Sequence, residues 1–335
     1  MSDLSNKNWK KRMFVILDKA GILLALFIMV IIFSLMSNVF LTSNNLLTIF
    51  LQVAVYSLIA FGISFVLIAG GIDLSSGAII GLSGMIGALV IIHTSNMWWG
   101  FMACLATGFF CGLVNGLLVT KLKLVPFIIT LGTMYIFRGL IFIINSGKPA
   151  SLRTAGEFIG KELFFFIGTG RVFGIVPFPV MIVLIVALIT QLILKKTRYA
   201  RELFAVGSNP EAARLSGINT DWVSFRAYII CGLICSLAGF LLTARMSTAQ
   251  VNAGSSYELE GISASVMGGV SISGGAGTIF GAFSGALLMG TLRNGLNLNG
   301  VDSFWQQVIV GAVIILAVYI DKVRTTRSMN QKPDD

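Results

Sequence analysis

Residues 46–69 read LLTIFLQVAVYSLIAFGISFVLIA, an unbroken apolar run without a charged side chain. Its length suits a helix that crosses a hydrocarbon core of about 30 Å, which takes roughly 20 residues. The whole chain of 335 residues is 56% hydrophobic and 11% charged, with a mean hydropathy of +0.90. Soluble domains carry about 25% charged residues. The composition therefore excludes an ordinary soluble protein and predicts an all-α, polytopic membrane protein.

Similar apolar blocks recur along the chain, and eight of them are predicted to be full crossings. These blocks are Ala20–Met36, Leu46–Ala69, Ala78–Ile92, Phe101–Val119, Val125–Ile144, Val176–Leu194, Ala227–Leu242 and Val301–Ile320. The glycine-rich segment Glu258–Arg293 breaks at Ser273–Ala276 and must begin and end outside. We predict that it forms a hairpin pair turning within the bilayer, which makes about ten membrane helices. Broken helices are tolerated there only where their backbone is buried in protein or lines a wet cavity.

Basic residues set the orientation of these helices. The formal net charge is +10, and most of the 24 Lys and Arg residues lie in the two tails, at Lys121 and Lys123, and in the run Lys195–Arg226. This bias is the positive-inside pattern of a multi-pass membrane protein, surrounded by lipid, and needs no nucleic-acid partner. The predicted divisions are a cytoplasmic N-terminal tail (1–19), a transmembrane domain (20–320) with a cytoplasmic loop (196–225), and a cytoplasmic C-terminal tail (321–335).

No catalytic constellation is visible in the sequence, so we predict no catalytic residue, cofactor or metal. The two Gly-Lys pairs are followed by Pro149 and Glu162, so neither forms a phosphate-binding P-loop. Any energy from nucleotide must therefore come from a partner. A membrane-embedded enzyme is opposed by the missing catalytic set. A secondary transporter or channel for a small polar solute remains the alternative, although the midplane charges and inverted repeats of secondary transporters are not visible.

One cytoplasmic stretch, RELFAVGSNPEAARLSGIN at 201–219, has the signals of a short helix. Ser208 or Asn209 can cap it, Pro210 suits its first position, and Glu211 suits its first turn. Gly217 can end it about two turns later. On the residues alone, this element is either a docking surface for a partner or a solvated loop.

The same stretch resembles the coupling loop of ribose/galactose-type permeases of ABC importers. The matching residues are Ala205, Gly207, Asn209, Ala212, Ala213, Gly217 and Ile218, whereas Pro210 stands where the family often has a polar residue. Three further motifs follow in the family's order: GGIDLSSG at 70–77, YELEGISA at 257–264 with SGG at 273–275, and NGLNLNG at 294–300 followed by WQQ. Together they cover the chain from about residue 40 to 325.

The resemblance implies a permease subunit of an ATP-driven monosaccharide importer, with ribose or a related sugar as the best candidate. It implies cytoplasmic ATPase subunits, an extracytoplasmic sugar-binding protein and a second, identical permease subunit as partners. It also implies a location in the bacterial cell membrane. Because the apolar blocks hold almost no charged residues, we expect recognition to lie mainly in the binding protein, with weak sugar affinity in this chain. The residues expected to couple to the ATPase are Arg201, Ala205, Gly207, Asn209, Glu211, Ala212, Ala213 and Gly217.

Polar residues near the apolar blocks are candidates for the solute pathway. The candidates are Asp73, Ser75, Glu258, Ser273, Gly274, Gly275 and Asn294. Asp73 can instead cap the helix that begins near Ser75, and Glu258 can form a capping box with Ser255. We favour the capping role for both. Arg245 and Arg293, at the outer ends of the hairpin, can pair with Glu258, Glu260 or Asp302.

Overall fold

The computed structural model describes residues 21–329, and this part is almost wholly helical. Its thirteen helices are α1 (Gly21–Met36), α2 (Ser43–Ile68), α3 (Ser76–Thr94), α4 (Met97–Leu122), α5 (Pro126–Ile144), α6 (Lys161–Thr169), α7 (Phe178–Lys196), α8 (Arg198–Ser208), α9 (Pro210–Leu215), α10 (Thr220–Met246), α11 (Tyr257–Met267), α12 (Ile279–Leu298) and α13 (Ser303–Met329). Six of them are long and apolar enough to cross a membrane, and α1 and α13 contain shorter apolar stretches. The all-α, polytopic prediction is confirmed.

The predicted blocks lie inside or within a few residues of the observed helices, and polar caps explain the largest differences. Helix α10 begins seven residues before the predicted Ala227 because the side chain of Asn219 accepts a hydrogen bond from the backbone N–H of Trp222 at 3.0 Å. Helix α13 continues to Met329, into the predicted C-terminal tail. The predicted N-terminal tail lies outside the described residues.

Small residues bring the central helices into close contact. Gly108 of α4 lies against the backbone of Gly232 in α10, and Gly112 lies against the carbonyl of Tyr228 one turn further along. Glycines spaced four residues apart on α4 thus let its backbone approach that of α10. Helix α2 is the most enclosed of the six long helices, because 89% of its most apolar 18-residue stretch is buried. The corresponding fraction is 22% for α5 and for α7, so α5 and α7 lie at the periphery of this chain.

The predicted hairpin pair is formed by α11 and α12, but its turn lies deeper than expected. The turn joins Met267 to Ile279, and within it the N–H of Gly275 donates to the carbonyl of Ile68, the last residue of α2, at 2.9 Å. Gly274 lies against Gly207 of α8, which belongs to the cytoplasmic loop. The turn therefore reaches the end of the bundle that carries the predicted cytoplasmic loop, whereas we expected it to reverse within the bilayer. This depth is possible because the chain enters the bundle as an irregular segment before α11 begins.

The long loop between α5 and α7, the outer loop, is more ordered than its polar sequence would predict. It contains α6 and three short strands, β1 (Ala150–Ser151), β2 (Arg171–Val172) and β3 (Val176–Pro177). Strand β1 pairs antiparallel with β4 (Thr248–Ala249), which follows α10, and β2 pairs with β3. Phe164 of α6 packs edge-on against Phe240, with ring centroids 5.5 Å apart. The loop is thus fixed to the outer end of α10.

Candidate functional site

The cytoplasmic loop contains two helices joined at Asn209, where the sequence predicts one. The side chain of Asn209 accepts a hydrogen bond from the N–H of Ala212 at 3.0 Å, and Pro210 is the first residue of α9. Gly217 has a left-handed backbone, with φ of +81°, just after the helix ends. The short capped helix is therefore confirmed. Helix α8, which precedes it, was not predicted as a separate element.

Helix α8 is fixed to the bundle by one face. Leu203 and Val206 are buried, and the Tyr199 hydroxyl donates to the carbonyl of Val223 in α10 at 3.3 Å. Burial raises the pKa of Tyr199, so this phenol stays protonated and keeps its donor. An anchored amphipathic helix transmits displacement better than a solvated loop. This geometry favours the docking interpretation over the solvated one.

The residues expected to couple to the ATPase divide by exposure. Gly207 and Ala213 are buried and Ala205 is partly buried, so these three face the bundle. Those exposed on this chain are Arg201, Asn209, Glu211, Ala212 and Gly217. Leu215, at the end of α9, is 90% exposed. An apolar side chain held out from a rigid helix beside charged residues is typical of a protein-contact surface.

A junction of three backbones lies beneath α8. A Cβ at Gly207 would overlap the carbonyl of Ile68 and would lie 2.5 Å from the nitrogen of Gly275. A Cβ at Gly274 would lie 2.6 Å from the carbonyl of Gly207. Helices α8 and α2 and the α11–α12 turn therefore meet without intervening side chains, an approach that only glycine permits. Ser273, Gly274 and Gly275, which we considered pathway candidates, lie in this junction.

Asp73 and Ser75 belong to a buried polar network in the inner part of the bundle. One carboxylate oxygen of Asp73 accepts from the N–H and the hydroxyl of Ser75, at 2.8 and 2.7 Å. Asn115 donates to the Ser75 hydroxyl at 2.6 Å and accepts from Thr133 at 2.7 Å. Asp73 and Ser75 have no exposed surface. Asp73 thus caps the N–H of Ser75, just before α3, and a solute cannot reach it in this conformation.

An irregular segment, residues 247–256, enters the bundle from the outer end of α10. Tyr257, which follows it, packs against Tyr56 with ring centroids 5.4 Å apart, and Tyr56 lies halfway along the 26-residue α2. Gly254 lies against Gly77 in the first turn of α3. Since α3 ends at Thr94 and this end is predicted to face outward, the contact at Gly77 lies about 26 Å along the helix from that end. The segment therefore runs at membrane depth.

The chemistry of this segment indicates a wet wall. Irregular backbone at membrane depth has to be packed in protein or line an aqueous cavity, because lipid offers no hydrogen-bond partner. Asn252, Ser255 and Ser256 are exposed on this chain, so this segment is suited to line an aqueous cavity. Arg138 of α5 fixes the segment by donating from Nη1 to the carbonyl of Ala253 at 2.5 Å. We refer to residues 247–256 as the wall segment.

Glu258 lies at the inner end of the wall segment, where its Oε2 is buried against Gly77 of α3. The capping box predicted with Ser255 does not form. Ser256 precedes α11 with a left-handed backbone, φ of +64°, and makes no side-chain cap. The chain enters α11 through a sharp turn, which carries Ser255 away from the first N–H groups of the helix.

The outer half of α12 is fixed by polar pairs. Arg293 donates through Nε to Glu260 at 2.7 Å and also through Nη2, so one of the predicted pairings is confirmed, with Glu260 almost wholly buried. Asn294 and Asn45 exchange side-chain amide bonds at 3.0 and 2.8 Å. Asn294 therefore joins α12 to α2 and, being buried, does not face a pathway in this conformation.

Several residues of this site were not found by sequence reasoning. Asn115 lies within an apolar helix, and Tyr56 carries its hydroxyl on a largely buried ring. A polar side chain in a membrane helix is itself a signal, because burying it without a partner is costly. That signal was available for Asn115, whereas the contact of Tyr56 with Tyr257 depends on tertiary structure.

Comparisons with known proteins place the chain in a family. The family model described as branched-chain amino acid transport system / permease component matches residues 45–318. The chain belongs to this permease family. It is 43% identical to the ribose import permease protein RbsC of Bacillus subtilis, over 92% of this chain and 94% of that protein. No solved structure shows a significant match.

Two further relatives come from Escherichia coli. The D-allose transport system permease protein AlsC is 39% identical over 91% of this chain and 92% of its own length. The L-arabinose transport system permease protein AraH is 36% identical over 92% and 91%. These matches span almost the whole chain, and they confirm the importer-permease family predicted from the motifs. The chain is a multi-pass permease of the bacterial plasma membrane.

Proposed function

We propose that this chain is the membrane permease subunit of an ATP-driven importer for ribose or a closely related monosaccharide. The observation that carries the proposal is near full-length similarity to permeases whose names specify ribose, allose and arabinose. All three substrates are neutral sugars. The exposed side chains of the wall segment support the same class, because neutral hydroxyl and amide groups both donate to and accept from sugar hydroxyls.

Branched-chain amino acids, which the family description names, are the second candidate class. They are zwitterions, and binding them calls for groups that compensate an ammonium and a carboxylate. Asn252, Ser255 and Ser256 carry no charge. At the inner end of the wall segment, Glu258 Oε2 is buried, so this carboxylate oxygen is not presented to a solute. The wall therefore favours a neutral solute.

Energy enters, in this proposal, through a separate ATPase subunit that docks on α8 and α9. The chain has no P-loop of its own. The exposed surface of Arg201, Glu211 and Leu215 supplies both charge signs and an apolar contact. Charges at the edge of an interface mainly set orientation and encounter rate, while a buried apolar side chain supplies affinity.

The glycine junction suits α8 as a relay. A displacement of α8 acts on α2 and on the α11–α12 turn at once, because their backbones touch and the Gly275 N–H bonds to Ile68. Helix α11 leads from that turn directly to the wall segment. Packed elements of this kind shift between discrete arrangements and do not deform continuously. Docking at the cytoplasmic face can thus change the wall at membrane depth.

A second copy of this chain completes the pore in our proposal. The wall segment is held by α5, which is largely exposed on this chain. Polar wall residues beside an exposed apolar helix are suited to a wet path between two identical subunits, with closed twofold symmetry. An extracytoplasmic sugar-binding protein delivers the solute to the outer loop, which presents both charge signs at Lys161 and Glu157.

Substrate competition tests this function. The chain is reconstituted in liposomes with its ATPase subunit and binding protein, and uptake of labelled D-ribose is measured against excess D-ribose, D-allose, L-arabinose and L-leucine. We expect ATP-dependent uptake that the sugars reduce and leucine does not. Uptake of leucine in place of ribose would assign the chain to the amino-acid branch. Uptake without ATPase or ATP would support the secondary-transporter alternative.

A further inference from the structure

A small polar pocket lies beside the wall segment, in the outer half of the bundle. It has a volume of about 280 Å³ and lies between α2, α10 and α11, with Gln52, Tyr56, Arg245 and Tyr257 as its polar lining. Arg245 nearly adjoins the start of the wall segment, and Tyr257 directly follows its end. A solute that follows the wall therefore passes the mouth of this pocket.

The pocket contains polar groups whose bonding capacity is not used within this chain. Gln52 Oε1 is buried without a hydrogen-bond partner among the described residues. Arg245 donates to the carbonyl of Leu51 at 3.1 Å through one nitrogen, and a guanidinium has five N–H groups. A buried acceptor without a donor is costly. Once the Gln52 amide turns its Oε1 toward the pocket, a ligand hydroxyl can donate to this oxygen and accept from Arg245.

Two aromatic rings supply the apolar side of the pocket. Tyr56 and Tyr257 stand edge to face, with centroids 5.4 Å apart and planes at 69°. The negative face of such a ring attracts polarised C–H groups, which monosaccharides present on one side. The volume lies at the low end of ligand pockets, which span about 300–1,000 Å³, so it suits a small ligand.

We propose that this pocket is a low-affinity station for a neutral monosaccharide during its passage through the permease. Gln52 and Arg245 bind its hydroxyls, and Tyr56 and Tyr257 bind its C–H face. The Glu260–Arg293 ion pair joins α11 to α12 three residues after Tyr257 and so helps to position this ring. A pore has to release what it admits, and a few contacts to uncharged sugar hydroxyls give binding weak enough for that. The proposal rests on the proposed sugar import.

Direct binding is the first test. Saturation-transfer NMR with D-ribose on the full chain in lipid nanodiscs, without binding protein, detects weak ligands. We expect transfer from tyrosine protons to the sugar and a millimolar dissociation constant. Gln52→Met should weaken binding about tenfold, and Tyr257→Leu should abolish it. Gln52→Met removes an unsatisfied acceptor at similar volume, so it should not lower thermal stability.

Gln191→Met is the matched control. Gln191 Oε1 is also buried without a described partner, but it lies near the cytoplasmic end of α7 and outside the pocket. This variant should bind D-ribose as the wild type does. Absence of saturation transfer in the wild type, or equal transfer in all three variants, would overturn the proposal. Preferential binding of D-ribose 5-phosphate would identify an anion site and would also overturn it.

A transport assay distinguishes the pocket proposal from the proposed function of sugar import. In the reconstituted complex, Gln52→Met should lower ribose uptake per ATP hydrolysed about tenfold, with the Gln191→Met complex unchanged. If the wild-type complex imports no sugar, the proposed function fails whatever the pocket binds. If the wild type imports ribose and Gln52→Met imports it equally well with equal ATP use, the pocket proposal alone fails.

Discussion

Replacing Gly207 by alanine tests the glycine junction with a single methyl group. The new Cβ would overlap the carbonyl of Ile68 and would lie 2.5 Å from the nitrogen of Gly275. The distance between α8 and the α11–α12 turn therefore has to increase by roughly 1 Å. Overpacking of this kind costs about 1–3 kcal/mol. Loss of the Gly275–Ile68 hydrogen bond adds about 0.5–1.5 kcal/mol. The higher helix propensity of alanine offsets about 1 kcal/mol of this cost.

Together these terms destabilise the packed glycine junction by about 1–3 kcal/mol. This change shifts the equilibrium between packed and unpacked junctions about 5- to 150-fold. We expect normal membrane insertion of Gly207→Ala but sugar uptake and sugar-stimulated ATPase activity lowered tenfold or more in proteoliposomes. Gly311→Ala is the matched control, since a Cβ there has nothing within 4 Å in the described residues. Wild-type coupling in Gly207→Ala would refute the relay.

Three further predictions concern docking, the wall and the orientation. Glu211→Lys should lower sugar-stimulated ATPase activity more than Glu211→Gln does. Membrane insertion should stay intact, because a changed charge at a helix end costs only about 0.3–1 kcal/mol and does not unfold α9. Equal activity of the wild type and the two variants would contradict docking at α9. Arg138→Gln should lower uptake about tenfold by releasing the Ala253 carbonyl, since bonds to charged groups contribute about 1.5–3 kcal/mol, and unchanged uptake would contradict the wall. Cysteines introduced by Ser5→Cys and Ser328→Cys should react only with reagent on the cytoplasmic side, over a low background because the four native cysteines are buried; labelling from outside would overturn the topology.

Much of the fold follows from local sequence, because lipid-spanning helices need long apolar runs and their ends need caps. Pro210, Asn209 and Gly217 specify α9 within a few residues, and the basic loops specify its side of the membrane. The four-residue glycine spacing in α4 likewise predicts its close contact with α10. These features depend on neighbours in the chain.

What the sequence could not supply depends on which helices meet. Ser273, Gly274 and Gly275 were considered pathway candidates, yet the two glycines contact Gly207, almost 70 residues away, because the α11–α12 turn reaches the end of the bundle where α8 lies. The wall segment was hidden because it reads as a loop outside the membrane; its depth depends on contacts with Gly77 and Tyr56. Tertiary packing alone assembles the junction and the wall.

The central claim is that this permease imports sugar with energy from a separate ATPase. The most direct measurement is D-ribose uptake by liposomes that contain the permease, its ATPase subunit and the binding protein, with ATP enclosed inside and no ion gradient. We predict uptake against the sugar gradient that stops when the ATPase subunit is omitted or its phosphate-binding lysine is replaced. Equal uptake by the permease alone, driven by an imposed proton or sodium gradient, would contradict the account.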